Sequence, residues 1–264
     1  MAWIRACGGG SPAIPDGKTV TPINDVTIWQ QCAGIANPTY TTLAEILADV
    51  GVLSVLMASD NAVDYLVRSK TFASDICADS NAMQYIGANN YCADTLLNDA
   101  DWLHAIFESS YKDSVLNAQI PTMTSNNQPS GVASSTSDYS GSTTAFRAFD
   151  KTSNGWLSVK SQAPSYVEYA FPSDIVPKVV TMKAGAYSAG SAISDKLQMS
   201  KDDSTFVDIK ICSVSATGQT FTQEMPGNTE EYRYFRVYCQ NGQYASNGDL
   251  VYIEEFMVYG REDV

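Results

Sequence analysis

Histidine is almost missing from this chain: among 264 residues only His104 is one. A single imidazole excludes histidine-based triads with a spare His, His-rich zinc sites and most pH switching by histidine. Basic residues are scarce as well, Lys+Arg 16 against Asp+Glu 29, for a net charge of −13 at pH 7. So acidic a surface repels phosphate backbones and anionic lipid, which argues against nucleic acid and membrane surfaces as partners. No apolar run is long enough to cross a bilayer, so no membrane insertion is expected. The opening Met1-Ala-Trp-Ile-Arg-Ala-Cys-Gly-Gly-Gly lacks the basic region and long apolar run of a secretory signal. The expectation is folding in a cytoplasm, with departure only by a signal-free route such as virion assembly.

Catalytic signatures are lacking too. No Gly-rich phosphate loop follows a strand, no G-x-S-x-G occurs, and one His cannot build a metal triad. The carboxylate pairs Asp202-Asp203, Glu230-Glu231 and Glu254-Glu255 are adjacent in sequence. On a strand, neighbours face opposite sides, so Glu254 and Glu255 cannot act jointly on a glycosidic bond. The chain is therefore expected not to be an enzyme. The six cysteines form no C-x-x-C pair and read as reduced, buried thiols, with a Cys212–Cys239 disulfide left open.

What is present is a core-forming composition, 44% hydrophobic and 17% charged, in a chain long enough for more than one structural unit. The expected class is multidomain α+β in three regions. Residues 1–40 hold Gly8-Gly-Gly10, Pro12, Pro15, Pro22 and Pro38 between short apolar stretches. They read as an attachment or oligomerisation arm, within which Val26-Thr-Ile-Trp29 alternates like a strand.

Residues 41–118 carry a repeat of period ten, visible in GVLSVLMASD from Gly51, NAVDYLVRSK from Asn61 and NAMQYIGANN from Asn81. The sixth positions are Leu56, Leu66, Ile76, Ile86, Leu96 and Ile106, and apolar residues recur at the second and third. Positions two, three and six share one helical face. Over ten residues that face rotates by about 80°, so one long amphipathic helix does not fit. Six short helices do, each capped by an Asp, Asn or Ser at the junction and stacked as a spacer; one or two longer helices with a chance echo remain the alternative. His104 falls at a polar position and reads as a surface residue.

Residues 119–264 change character. Strand patterns run through Tyr166–Phe171, Val179–Lys183, Lys196–Ser200, Phe206–Ile211, Tyr234–Cys239 and Tyr252–Tyr259, with turn formers such as Lys201-Asp-Asp-Ser between them. Many strands without intervening helices predict an antiparallel β-sandwich or jelly roll.

The landmarks of this region are Ala148-Phe-Asp150, Trp156, Tyr166-Val-Glu-Tyr-Ala-Phe-Pro172, Gln198-Met-Ser-Lys-Asp-Asp203 with Phe206, Tyr234-Phe-Arg-Val-Tyr238 and Glu255-Phe-Met-Val-Tyr-Gly260. In that order they resemble the discoidin-like domains (coagulation factor 5/8 type C, galactose-binding-like). The resemblance implies a structural Ca2+ held by Asp150, Ser153 and Glu255, with main-chain oxygens of Lys151 or Asn154 completing the shell. The alternative is a surface turn in which Asp150 caps local amides; the usual Asp-Gly pair is Asp150-Lys151 here. The resemblance also implies a sugar held on loops at one end, by an aromatic platform with polar neighbours. The candidates are Tyr139, Trp156, Tyr187 and Tyr244, with Asn241, Gln243 and Asn247 beside them. Galactose binders of the family commonly use a His, and this region has none.

Met1-Ala-Trp-Ile-Arg5, Leu56-Met-Ala-Ser-Asp-Asn-Ala-Val-Asp-Tyr-Leu-Val-Arg68 and the ten-residue units are similar to proteins of tailed bacteriophages and prophages of gut Firmicutes. This similarity implies a virion surface protein, a tail or head fibre or appendage. Its arm would join other virion proteins, and its sandwich would bind host cell-surface carbohydrate. The alternative is a structural component, a capsid decoration or baseplate protein, whose sandwich touches only other virion subunits. A homo-oligomer, a trimer by analogy with elongated appendages, is the expected assembly.

Overall fold

The computed structural model describes residues 24–159, 164–185, 193–240 and 251–261. Asn24 opens helix α1 (Asp25–Cys32) with a capping box: its side-chain oxygen accepts from the Thr27 amide, and the Thr27 hydroxyl accepts from the Asn24 amide, both at 2.9 Å. Val26-Thr-Ile-Trp29 is thus helical, not a strand. Four alternating residues are too few to separate the two periodicities, and the Asn-x-x-Thr signal decides between them. Since α1 packs on α4 below, the helical module reaches back to Asn24, into the stretch expected to be an arm.

Seven helices follow: α2 (Leu43–Ala48), α3 (Val50–Met57), α4 (Asp60–Ser69), α5 (Ala73–Cys77), α6 (Ser80–Ala88), α7 (Asn90–Leu97) and α8 (Ala100–Glu108). The side chains of Asp49, Asp79, Asn89 and Asp99 each accept from amides of the helix they start. These four keep step with the ten-residue period. Register slips once, where Lys70 ends α4 in the left-handed region (φ 54) and α5 begins after Phe72 without a side-chain cap.

Helices three apart pack on one another: α1 on α4 on α7, α3 on α6, and α5 on α8. The module is therefore a short solenoid with three helices to the turn. Side-chain bonds tie successive turns together. Tyr65 and Tyr91 donate to Asp25 and Asp64 at 3.0 and 2.8 Å, and the Trp102 indole N–H reaches the Leu66 carbonyl at 3.1 Å. Leu53, Leu56, Ala62, Val63, Leu66, Ile76, Ile86, Leu96 and Ile106 fill the centre. At Gly87 a Cβ would lie 1.8 Å from the Ser114 carbonyl oxygen, so only glycine lets α6 meet the 3-10 turn Lys112–Ser114.

Among the described residues, ten strands build the second module: β1 (Asn117–Ala118), β2 (Val132–Ser135), β3 (Trp156–Leu157), β4 (Ser165–Ile175), β5 (Pro177–Ala184), β6 (Ile193–Ser200), β7 (Val207–Val214), β8 (Thr220–Glu224), β9 (Tyr232–Cys239) and β10 (Tyr252–Gly260). They form two antiparallel sheets, one in the order β1-β10-β5-β8 with β3 also on β10, the other β2-β4-β9-β6-β7. Val180, Met182, Phe256 and Val258 of the first face Val167, Tyr169, Phe235 and Val237 of the second. Phe149 points inward between them, with ring centroids 5.4 Å from Tyr169 and 6.0 Å from Phe256. Both ends of the module meet, because β1 pairs with the last residues of β10.

The Cys212–Cys239 disulfide left open by the sequence is excluded by the register. Asp195 on β6 is the cross-strand partner of both, so a whole strand separates them and their Cα atoms are about 9.6 Å apart. The five described cysteines are free, and burial pushes the Cys77, Cys92 and Cys212 thiols up to about 12.

The solenoid meets the sandwich where β5 begins and β10 ends. Phe107 packs edge-on against Tyr259 with centroids 5.3 Å apart, and Val179 joins the helical core. Buried Lys178 donates to Asn98 Oδ1 at 3.1 Å and to the Asn228 carbonyl at 2.8 Å; desolvation lowers its pKa. Arg261 reaches Asp94 at 2.8 Å. A cleft of about 750 Å³ opens along this seam, and its cationic groups are the ones already engaged in joining the modules.

His104 belongs to the same seam, with Nδ1 2.8 Å from Glu224 Oε1 on β8. The Glu224 hydrogen bond and charge raise its pKa above the ordinary 6.5. A raised folded-state value means that the contact contributes fully below pH 6.5 and is lost as pH rises through the folded value. An imidazole NMR titration is expected to read above 6.5 in the native chain and to return to about 6.5 in Glu224→Gln. An unchanged value in that variant would contradict the pairing.

Candidate ligand-binding site

At the end of the sandwich away from the solenoid, β5 finishes, β10 begins, and β9 passes Ser165 at the start of β4. Ser165, Ala184, Cys239 and Tyr252, at the ends of β4, β5, β9 and β10, all lie at this end. It lies about 23 Å from the seam, the length of an eight-residue strand. Tyr187, Asn241, Gln243, Tyr244 and Asn247 lie outside the described residues, as do residues 1–23. Of the expected ligand contacts, the described residues contain Tyr139 and Trp156.

Tyr139 stands on this rim with 51% of its surface exposed. Its loop is fastened on both sides. The Thr136 amide donates to the Tyr166 carbonyl at 3.1 Å, and the Tyr139 amide donates to the Leu157 carbonyl at 2.8 Å. Ser135 Oγ donates to Asp138 Oδ1 at 2.8 Å, and the Val159 amide to Ser137 Oγ at 3.1 Å. Beyond Tyr139, Ser140 and Thr143 close the tip through mutual hydrogen bonds. A tyrosine ring on a pinned loop, with hydroxyl side chains beside it, can stack on the C–H face of a sugar while its polar neighbours meet hydroxyls.

Trp156 is not a platform. It is fully buried, and its indole N–H donates to the Ser137 carbonyl at 3.0 Å and to Asp138 Oδ1 at 3.1 Å. Its polar edge faces the underside of the Tyr139 loop instead of a ligand. Gly155 is the local reason: a Cβ there would sit 2.3 Å from the Ile253 carbonyl, so glycine lets β3 lie tight on β10 and turns the next side chain into the core. Ser137 and Asp138, which hold the loop, are not among the residues the sequence singles out; the Ser-x-x-Asp spacing from Ser135 is a signal for Asp138, and Ser137 has none.

The implied calcium set fares differently. Asp150 is 4% exposed, and both its oxygens are engaged: Oδ2 accepts from Arg147 at 2.9 Å, and Oδ1 accepts from the Thr152 amide and hydroxyl at 2.9 and 2.6 Å. A dication placed on this carboxylate would face the Arg147 guanidinium. Ser153 is exposed, and its carbonyl meets the Tyr252 hydroxyl at 3.5 Å; Glu255 sits on β10 opposite Lys183. Among the described residues no group of three or more His, Cys, Asp or Glu converges. In this arrangement the Asp150 carboxylate is taken up by Arg147 and Thr152, which is the turn-capping alternative to its expected role as a calcium ligand.

No family model matches the chain, and no curated protein matches it. Among solved structures it is similar to chitosan-binding module 1 of a chitosanase/glucanase from Paenibacillus sp. IK-5, at 20% identity over 55% of this chain and 99% of that one, with a TM-score of 0.42. It is also similar to the family 32 carbohydrate-binding module of C. perfringens NanJ in complex with galactose, at 15% identity, 51% and 97% coverage and a TM-score of 0.42. A third is a family 32 module from Clostridium perfringens in complex with GlcNAc-α-1,4-galactose, at 10% identity, 52% and 94% coverage and a TM-score of 0.41.

Proposed function

We propose that this chain is a non-enzymatic glycan-binding protein whose ligand is held at the sandwich rim carrying Tyr139. The observation that carries the reading is the half-exposed Tyr139 ring on a loop pinned from below, at the end turned away from the solenoid. The carboxylates most suggestive of hydrolysis have other work. Asp202 caps its own turn, Glu230 pairs with Lys201 at 2.5 Å, and Glu254 pairs with Lys183. On a virion the solenoid would serve as the spacer between particle and tip. That part of the reading is supported by the similarity of Met1–Arg5 and Leu56–Arg68 to tailed-phage proteins.

A glycan array probed with the full chain tests the proposal. Saturable binding to one class of sugar is expected, and Tyr139→Ala is expected to weaken it at least tenfold, about 1.4 kcal/mol. The same substitution should leave stability within about 0.5 kcal/mol, as for an exposed side chain without buried partners. Binding that survives Tyr139→Ala unchanged removes the rim assignment. No binding to any glycan favours a sandwich that contacts only protein neighbours.

A further inference from the structure

The cleft along the seam lies at the opposite end of β5 from the Tyr139 rim, since Lys178, second in that strand, lines it while Ala184 ends at the rim. Five stretches of chain converge on it: α7, Gln119 after β1, the end of β4, the loop before β9, and Arg261 after β10. Its volume of about 750 Å³ falls within the usual range of ligand pockets, about 300–1,000 Å³. Of its described lining residues only Ile175 and Val176 are apolar. Such a lining suits a polar ligand.

Three carboxamides on the lining are each held by one end. Asn98 Oδ1 accepts from Lys178 Nζ at 3.1 Å, Asn90 Oδ1 accepts from Arg261, and Gln119 Nε2 donates to the Asn117 carbonyl at 3.2 Å. A carboxamide has a donor end and an acceptor end, so fixing one sets the direction of the other. Among the described residues the opposite ends, Nδ2 of Asn90 and Asn98 and Oε1 of Gln119, have no hydrogen-bond partner. Lys178 adds a third donor. It is 7% exposed, and its ammonium places two of three hydrogens, on Asn98 and on the Asn228 carbonyl at 2.8 Å. Asp94 Oδ1 is taken by Arg261 at 2.8 Å, which leaves Oδ2 as a second acceptor. Donors and acceptors thus stand side by side, oriented before any ligand arrives.

The charge on the lining narrows the ligand. Asp94, Asp174 and Glu231 stand against Lys178 and Arg261, so an anion would meet carboxylates and a cation would meet the two basic groups. A hydroxyl both donates and accepts, and pairs with either kind of unpaired atom. We propose that the seam cleft is a second binding site, which takes the hydroxyl groups of a neutral saccharide through Asn90, Asn98, Gln119 and Lys178. No aromatic ring is among the described lining residues, so recognition rests on hydrogen bonds and not on stacking. The site shares no residue with the rim and stands whether or not the rim binds glycan. A ligand there touches α7 and the sandwich together and stabilises the joined form of the two modules.

Proton–nitrogen NMR of the full chain, read at the side-chain amide signals of Asn90, Asn98 and Gln119, tests the site. The probes are lactose, maltotriose and cellotriose as neutral saccharides, with glucuronate and glucosamine as charged controls. Saturable shifts of the three carboxamides are expected with at least one neutral probe, and the charged controls are expected to bind about tenfold more weakly. These signals belong to the cleft, so binding at the Tyr139 rim does not produce them. Thr229→Trp fills the cleft from an exposed position on its lining, and is expected to weaken binding by about tenfold or more. Ser173→Trp, from an exposed position at the end of β4, acts in the same way and serves should Thr229→Trp fold poorly. Silence of the three signals with every neutral probe, equal binding of a charged control, or shifts that survive both tryptophan variants would each overturn the proposal.

Discussion

Trp156→Ala is expected to destabilise the sandwich by about 3–5 kcal/mol and to weaken glycan binding although Trp156 touches no ligand. The side chain is fully buried, so truncation leaves a cavity. It also strips the Ser137 carbonyl of a donor and frees Asp138 at the base of the Tyr139 loop. Trp156→Phe separates the two effects. It keeps much of the volume but loses the N–H, leaving an unpaired acceptor at a cost of about 1–3 kcal/mol. Chemical denaturation gives the stability, and hydrogen exchange at Tyr139 and Val159 reports the loop. If Trp156→Phe loosens those amides and lowers glycan affinity, the indole bond positions Tyr139. If affinity is retained while the amides loosen, loop pinning has no part in recognition.

Tyr139 and Trp156 also show how far sequence carries a site. Both are aromatic with a polar edge, and composition treats them alike. One edge faces solvent and the other a carbonyl beneath the same loop, a difference set by Gly155 and by the pairing of β3 with β10. Asp150 is a similar case. Its place in the Ala-Phe-Asp motif is legible, but the partner that claims its carboxylate, Arg147, stands one helical turn earlier in a 3-10 helix and gives no spacing signal of its own. The six longer strands were readable from alternating or continuous apolar runs, although in β7 the alternating Val207 and Ile211 are exposed, with a register shift between them in the pairing with β6. Strand β8, Thr-Phe-Thr-Gln-Glu, was not: among the described residues it is an edge strand paired with β5 alone, and its polar residues need no burial.

The solenoid divides in the same way. Short helices at a ten-residue period follow from apolar positions two, three and six and from junction caps, which are local features. Three helices to a turn do not follow, because the angle between successive helices is set by backbone conformation at each junction. Pairs that reveal the turn, such as Tyr65 with Asp25 or Trp102 with Leu66, are 40 and 36 residues apart. Trp102 therefore offers the sharpest test of the stacking. It is fully buried in α8, and its indole N–H crosses to the last turn of α4. Trp102→Ala is expected to cost about 3–5 kcal/mol, the range for a buried large aromatic. The loss should concentrate in the helical module, lowering its melting transition while the sandwich transition moves less. Seam contacts through Phe107, Lys178, Arg261 and His104 make some coupling unavoidable, since β5 and β10 lose part of their covering when α7 and α8 loosen. Circular dichroism at a helical wavelength, followed beside the NMR signals of the sandwich amides Val167 and Val237 in the same Trp102→Ala melt, resolves the order. Helix loss first supports two modules joined by a polar seam. A single coincident transition would show instead that solenoid and sandwich unfold as one cooperative unit.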